Sequence, residues 1–300
     1  MYDKITAWID RAVIGEERFE ALSWHANERG WFSLGSFNFK CLPNTIKCTG
    51  SVNKYHLGHN LKALTFVEVC EVIDDLCNWI QVDPSEIRVT TIEFGATFAI
   101  NNPPSRYLEL LGELSRTKRL PIAKGQTLQT IVYQTSYYKH IFYDKGEEAG
   151  IDENLLRFEL RYYKNIHTQL LGKGGSIWLS TLRDADFYRK LQSIYIKTFT
   201  MIKKLGELNA STFTKVKGVK DAKDMLLAQL LESDPTIIGR FVEDLKRKRI
   251  YNDPKYYSRL KKELNDALKL YGGTTNENPD LIAELTHLVE QEIKRCSPLE

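Results

Sequence analysis

Three hundred residues carrying a formal net charge of +3, with 42% apolar and 27% charged residues, describe a globular chain long enough for one large domain or for two. That balance excludes a strongly basic protein held to nucleic acid by net charge alone, while leaving room for local basic patches. No apolar run approaches the ~18 residues that would cross a bilayer, so no membrane partner is expected.

Met1-Tyr2-Asp3-Lys4 lacks a signal-peptide pattern. The five cysteines (Cys41, Cys48, Cys70, Cys77, Cys296) are odd in number and show no Cys-x-x-Cys spacing. Reduced, structural thiols in a cytoplasmic chain are therefore expected.

In chain order, Ile5, Ala7 and Ile9 alternate with Thr6 and Trp8, which predicts an opening strand. Phe37–Leu42 and Thr45–Cys48 flank Pro43-Asn44 as a hairpin flanks its turn. The polar, Gly-punctuated stretch from Gly50 to Asn60 reads as an exposed loop or strand edge. Thr65 and Glu68 form a capping box before a helix whose inner face carries Val69, Val72, Ile73, Leu76 and Ile80. A β-rich stretch from Ile87 to Ile100 follows, and Pro103-Pro104 then opens a helix expected to run through Leu114.

Thr127–Tyr133, Tyr138–Tyr143 and Leu155–Tyr163 read as three further strands. From about residue 179 the pattern turns helical, with Leu226, Leu227, Leu230 and Leu231 on one predicted face. Asp234-Pro235, Asp253-Pro254 and Asn278-Pro279 mark three helix starts. This order predicts an α+β fold with a mainly antiparallel sheet and flanking helices, followed by an all-helical C-terminal part. Residues 1–205 and 219–300 are the expected domains, divided by the small, polar stretch from Gly206 to Lys220.

The chemistry concentrates in two neighbouring strands. Tyr143 stands before Asp144, Lys145, Glu147 and Glu148, and Arg157, Glu159 and Arg161 alternate with Phe158 and Leu160. A tyrosine phenol can attack a phosphodiester and store the bond covalently, given a divalent cation to steady the developing charge. Side chains alternate along a strand, so Lys145 is expected on the face of Tyr143. The bland alternative for Tyr143 is a half-buried strand tyrosine. For the second run it is a solvated face of Arg–Glu pairs.

Glu93, inside an apolar strand beside Gly95, reads as a ligand or a structural ion-pair partner, because buried carboxylates are seldom unpaired. His56, His59 and His140 form no His-x-His pattern and read as ordinary histidines. Basic residues interleave with aromatics at Lys54-Tyr55, Tyr138-Lys139 and Tyr162-Tyr163-Lys164, a pattern suited to single strands. Lys246, Arg247, Lys248 and Arg249 form a basic run suited to duplex backbone. No Gly-rich phosphate loop supports an ATPase or a dehydrogenase.

The series Gly50-Ser51, Lys54-Tyr55, Ile92-Glu93-Phe94-Gly95, Tyr143-Asp144-Lys145, Glu148 and Arg157-Phe158-Glu159 resembles rolling-circle replication initiators, closest to the phage and plasmid proteins related to the filamentous-phage replication endonuclease. The likeness covers about residues 1–205. It implies a relaxase-like fold and metal-dependent, origin-specific nicking and joining of DNA through a 5′-phosphotyrosine. Tyr143 would be the nucleophile, with Tyr137 and Tyr138 as substitutes. Glu93, Glu159 and Glu148 would hold Mg²⁺ or Mn²⁺, with Lys145 in support. Lys54, Tyr55, Arg157, Arg161 and the run Lys246 to Arg249 would meet DNA. One departure from many relaxase-like enzymes is the missing His-hydrophobic-His strand. The C-terminal helices are expected to grip origin duplex, to form a homodimer, or to recruit host helicase or polymerase. The rival expectation is a non-catalytic DNA-binding protein, a repressor or copy-control factor, on the same fold.

Overall fold

The computed structural model describes the chain except residues 173–174, 206, 209–215, 233–235, 272–274, 277–278 and 299–300. β1 (Tyr2–Asp10) leads into α1 (Arg11–Ile14) and α2 (Glu16–Trp24), then β2 (Trp31–Leu34), β3 (Phe37–Leu42) and β4 (Thr45–Ser51). Pro43-Asn44 turns β3 into β4 with Leu42 opposite Thr45, as the turn formers predict. α3 (Val52–Leu57), α4 (Phe66–Ile80), β5 (Arg88–Ala99), α5 (Pro104–Glu109), β6 (Lys118–Lys124), β7 (Thr127–Gln134) and β8 (Tyr138–Asp144) follow. α6 (Lys145–Ala149), β9 (Leu155–Tyr162), α7 (Ile166–Leu170) and α8 (Ala185–Met201) complete this part.

The strands form one nine-stranded sheet, ordered β2-β3-β4-β1-β5-β9-β8-β7-β6. Every neighbouring pair is antiparallel. This is the α+β architecture, with flanking helices and a helical C-terminal part, that the element order predicts.

One face of the central strands is an aromatic core. Phe142 stacks on Phe158 at 4.0 Å, Phe158 meets Tyr195 of α8 at 4.3 Å, and Phe94 meets Tyr188 edge-on. α4 is closed by its predicted capping box, Glu68 N donating to Thr65 Oγ1 and Thr65 N to Glu68 Oε2. Its buried residues include Val69, Val72, Ile73, Leu76 and Ile80, as the helical spacing requires.

Three local expectations are corrected. Gly50 to Asn60 is not a simple loop: β4 runs to Ser51, which caps α3 through Lys54 N, and Gly58 ends α3 in the left-handed region at φ +77°. α5 stops at Glu109 instead of reaching Leu114: Leu110 N and Leu111 N bond three residues back, to Tyr107 O and Leu108 O, and Gly112 N then bonds Lys203 O. Leu226 is 58% exposed, since Met225, Ala228 and Leu231 take the inner positions of its helix.

Contacts divide the chain into two compact units, Met1–Lys203 with Ala283–Glu300, and Lys204–Ile282. The smaller unit contains the paired two-residue strands β10 (Glu207–Leu208) and β11 (Thr275–Asn276). Its helices are α9 (Val219–Glu232), α10 (Thr236–Arg247) and α11 (Lys255–Tyr271). Leu231, Ile238 and Leu264 form one of its clusters. Asp253 Oδ1 accepts from Lys255 N at the start of α11, while the cap at Asp234-Pro235 and the residue Asn278 lie outside the described residues.

The last helix, α12 (Pro279–Cys296), was expected to belong with 219–300, but its residues from Ala283 onward group with the sheet unit. Glu284 accepts from Asn101 N at 2.9 Å and from the Tyr107 hydroxyl at 2.6 Å, and Leu285 and Val289 are buried. No described helix is long and apolar enough to cross a membrane.

Candidate active site on the polar face of the sheet

The face opposite the aromatic core carries the charged residues. On β9, Arg157 lies opposite Thr97 of β5 and Tyr143 of β8; Glu159 lies opposite Gly95 and Ile141; Arg161 lies opposite Glu93 and Lys139. Antiparallel alternation thus collects one tyrosine, two carboxylates and two guanidinium groups from three adjoining strands. Gly95 is required by close approach: a Cβ there would come within 2.3 Å of Phe158 O and 2.9 Å of Glu159 Cα, both backbone.

Glu159 is the hub. Its Oε1 accepts from the Tyr143 hydroxyl at 2.9 Å and from Arg157 Nε, and its Oε2 accepts from Arg161 Nε at 2.6 Å. Arg157 also donates to Asn60 O, to Thr97 Oγ1 and to Asp3 Oδ2. Ser51 Oγ donates to the other oxygen of Asp3 at 2.6 Å.

Asp3 reaches the cluster through a β-bulge. Tyr2 pairs with Phe94 and Ile5 with Ile92, so Asp3 and Lys4 together stand against the single residue Glu93. Both bulge residues line the same cavity, of about 350 Å³, with Lys54, Glu93, Tyr143, Glu148, Glu159 and Arg161.

Carboxylate oxygens of Asp3, Glu93 and Glu159 lie within 4.8 Å of one another. Their environments differ. Burial opposes ionisation of Glu159, yet Arg157 and Arg161 outweigh it and hold the carboxyl below its ordinary value. Burial lifts Glu93 to about 7, with Arg161 only partly offsetting it and the charges of Glu159 and Asp3 adding to the rise. The nearest ion-pair contact of Glu93 is Arg161 at 3.8 Å. Burial, then the Glu159 charge, raises the Tyr143 phenol, so a free phenolate is disfavoured. An all-oxygen set with one under-compensated carboxylate fits a hard divalent cation, and does not distinguish Mg²⁺ from Mn²⁺.

Of the residues expected to act, Tyr143, Glu93, Glu159, Glu148, Arg161 and Lys54 line this one cavity. Others are placed differently. β8 ends at Asp144, whose side chain caps α6 through Glu147 N, so Lys145 begins a helix instead of sharing a strand face with Tyr143. Lys145 is buried, paired with Glu148, and its Nζ lies 6.0 Å from the Tyr143 ring centroid.

Arg157 was expected to take a phosphate. It is fully buried with its donors spent on Asp3, Glu159, Thr97 and Asn60, which makes it an internal strut. The Tyr55 ring packs on Phe37 at 5.5 Å and does not line the cavity. Neither do Tyr137, exposed beside a turn, nor Tyr138, which faces His140 and Tyr162. His140 is buried among these rings, and burial lowers it to about 4.

Lys246 and Arg247 end α10 and pair with Glu243 and Asp244, while Lys248 and Arg249 continue beyond the helix, all four exposed. Asp3 lies outside the strand that the alternation from Ile5 to Ile9 predicts. An acid between Tyr2 and the apolar series Ile5, Ala7, Ile9 was the available signal.

No protein-family model and no curated protein matches the chain. Among solved structures, a rolling circle replication initiator protein from Geobacillus stearothermophilus is similar over 73% of this chain and 89% of its own, with a TM-score of 0.37 and 11% identity. At that level the site must be read on its own geometry.

Proposed function

We propose that the chain nicks and rejoins DNA through Tyr143 with a divalent cation, Mg²⁺ or Mn²⁺, initiating rolling-circle replication of a phage, plasmid or integrated element. The observation that carries this reading is the hydrogen bond from Tyr143 to Glu159 beside the carboxylates of Asp3 and Glu93. Tyr143 Oη forms a bond to phosphorus as the bond to the 3′-oxygen breaks. The products are a 5′-phosphotyrosine and, once that oxygen takes a proton from solvent, a free 3′-hydroxyl. Glu159 orients the phenol, whose proton leaves to solvent as the bond to phosphorus forms. Arg157 holds Glu159 and Asp3 in place, and Arg161 meets the phosphate from the cavity wall. Asp3, Glu93 and Glu159 would hold the cation, which would offset the charge developing on the phosphoryl oxygens.

The test is a supercoiled plasmid carrying the DNA that flanks the protein's own gene, incubated with Mg²⁺ or Mn²⁺. Open-circular product with protein covalently attached is expected, and Tyr143→Phe should abolish attachment while keeping binding. Nicking by that variant would refute the assignment. A non-catalytic DNA-binding role is the second reading, favoured by the saturation of both Glu159 oxygens. It predicts a salt-sensitive mobility shift without nicking. In either case the partner is origin DNA. Host helicase or polymerase and a second copy of the chain are further proposed partners, and the exposed run Lys246 to Arg249 is the proposed contact with duplex.

A further inference from the structure

A second cavity, of about 530 Å³, adjoins the tyrosine site and shares Glu93 and Arg161 with it as wall residues. Its size falls within the roughly 300–1,000 Å³ of ligand-holding clefts. Across the sheet at this level, Gln134 of β7 is opposite Lys139 of β8, Lys139 is opposite Arg161 of β9, and Arg161 is opposite Glu93 of β5.

Two cations directly opposite each other destabilise a sheet unless an anion lies between them. Arg161 is drawn toward Glu159 and Glu93. Among the described residues Lys139 and Lys164 have no carboxylate partner. Lys139 Nζ instead lies 5.9 Å from the centroid of the Tyr163 ring. That ring is half-buried and fixed by its hydroxyl, which donates to Thr135 O at 2.9 Å. The cavity thus presents three cations against one carboxylate, with an anchored aromatic face beside them.

We propose that this cavity holds the single-stranded segment flanking the phosphodiester bond cleaved at Tyr143. Lys139 and Lys164 take successive backbone phosphates, and the Tyr163 ring stacks on an unpaired base. The four-residue interval from Lys139 to Tyr143 along β8 is about 13 Å, a span one strand crosses in a few nucleotides. The assignment rests on the tyrosine cavity being the cleavage site, and it adds the form of the substrate and the path it follows.

The test is fluorescence anisotropy of the full chain with a fluorescein-labelled single-stranded oligonucleotide of mixed sequence, from 50 to 200 mM salt. The double variant K139A/K164A should bind more weakly, and its log affinity against log salt should be less steep by about 1.4, two contacts at roughly 0.7 each. Tyr163→Leu should weaken binding with the slope unchanged. An unchanged slope in K139A/K164A overturns the proposal, as does an equal loss for duplex of the same sequence. If alanine at these positions disturbs the near-ultraviolet circular dichroism, K139Q/K164Q reads the same slope. Tyr143→Phe should retain the full slope. If that variant still forms a covalent adduct the cleavage assignment fails, while the salt slopes judge the strand-binding cavity separately.

Discussion

Along β9, Phe158 and Leu160 are buried as completely as Arg157 and Glu159, one residue apart on opposite faces of the strand. The apolar side is held by contact area and ring stacking, in which each neighbour contributes a little and gaps can be partly refilled. The charged side is held by a closed set of partners: Asp3, Glu159 and Asn60 on Arg157, and Arg157, Arg161 and Tyr143 on Glu159. Equal dryness therefore conceals unequal tolerance. A buried charge that loses its partner has no solvent to turn to.

The largest break in this symmetry is expected from Arg157→Ala. It leaves Asp3 without its guanidinium partner and Glu159 with Arg161 alone, and should cost about 3–5 kcal/mol in urea denaturation. A loss under ~1 kcal/mol would mean that the strut is dispensable.

Glu93 sharpens the contrast through pH. Its folded-state value of about 7 lies above that of an ordinary carboxyl, so its contribution to stability is complete at low pH and is lost as pH rises through about 7. Thermal unfolding at low salt without divalent cations should show that loss between pH 5 and 8, on the order of 2–3 kcal/mol. Glu93→Gln should flatten it. For the same reason Mn²⁺ affinity, read by isothermal calorimetry, should rise over this interval in the unmutated chain, because the carboxyl must lose its proton to bind a cation.

On the apolar side, Phe158→Leu should cost only about 1 kcal/mol by the same denaturation measurement. At the far edge of the sheet, Lys124 and Glu147 form an exposed pair, with side chains 77% and 51% accessible. Lys124→Ala should leave the unfolding midpoint unmoved.

How much of this was legible in the sequence follows from the same contrast. Alternation alone put Glu159 with Arg157 and Arg161 and opposed them to Phe158 and Leu160, and the structure places them so. It could not say that this polar face is dry, because burial depends on what covers the strand. That is why Arg157 read as a phosphate ligand. β6 is largely exposed and carries no alternating core, so it left no trace in the pattern. Lys145 was misplaced because Asp144 ends the strand by capping a helix, a choice made locally by side-chain hydrogen bonding. The acid before the Ile5, Ala7, Ile9 series marks Asp3 as unusual, but an unbroken count along the strand would put it on the apolar face, and only the bulge turns it to the carboxylates.

The slip that brings Asp3 and Lys4 abreast of Glu93 is undone a few residues later. Thr6 pairs with Thr91 and Ala7 with Val89, so β5 contributes Thr90 as its own surplus residue. The two irregularities cancel like a vernier moved forward and then back, leaving only a short offset window at the carboxylates. Deleting Lys4 would remove the first offset and set Asp3 directly opposite Glu93 as an ordinary cross-strand pair, keeping the acids together while taking the Lys4 cation out of the cavity wall.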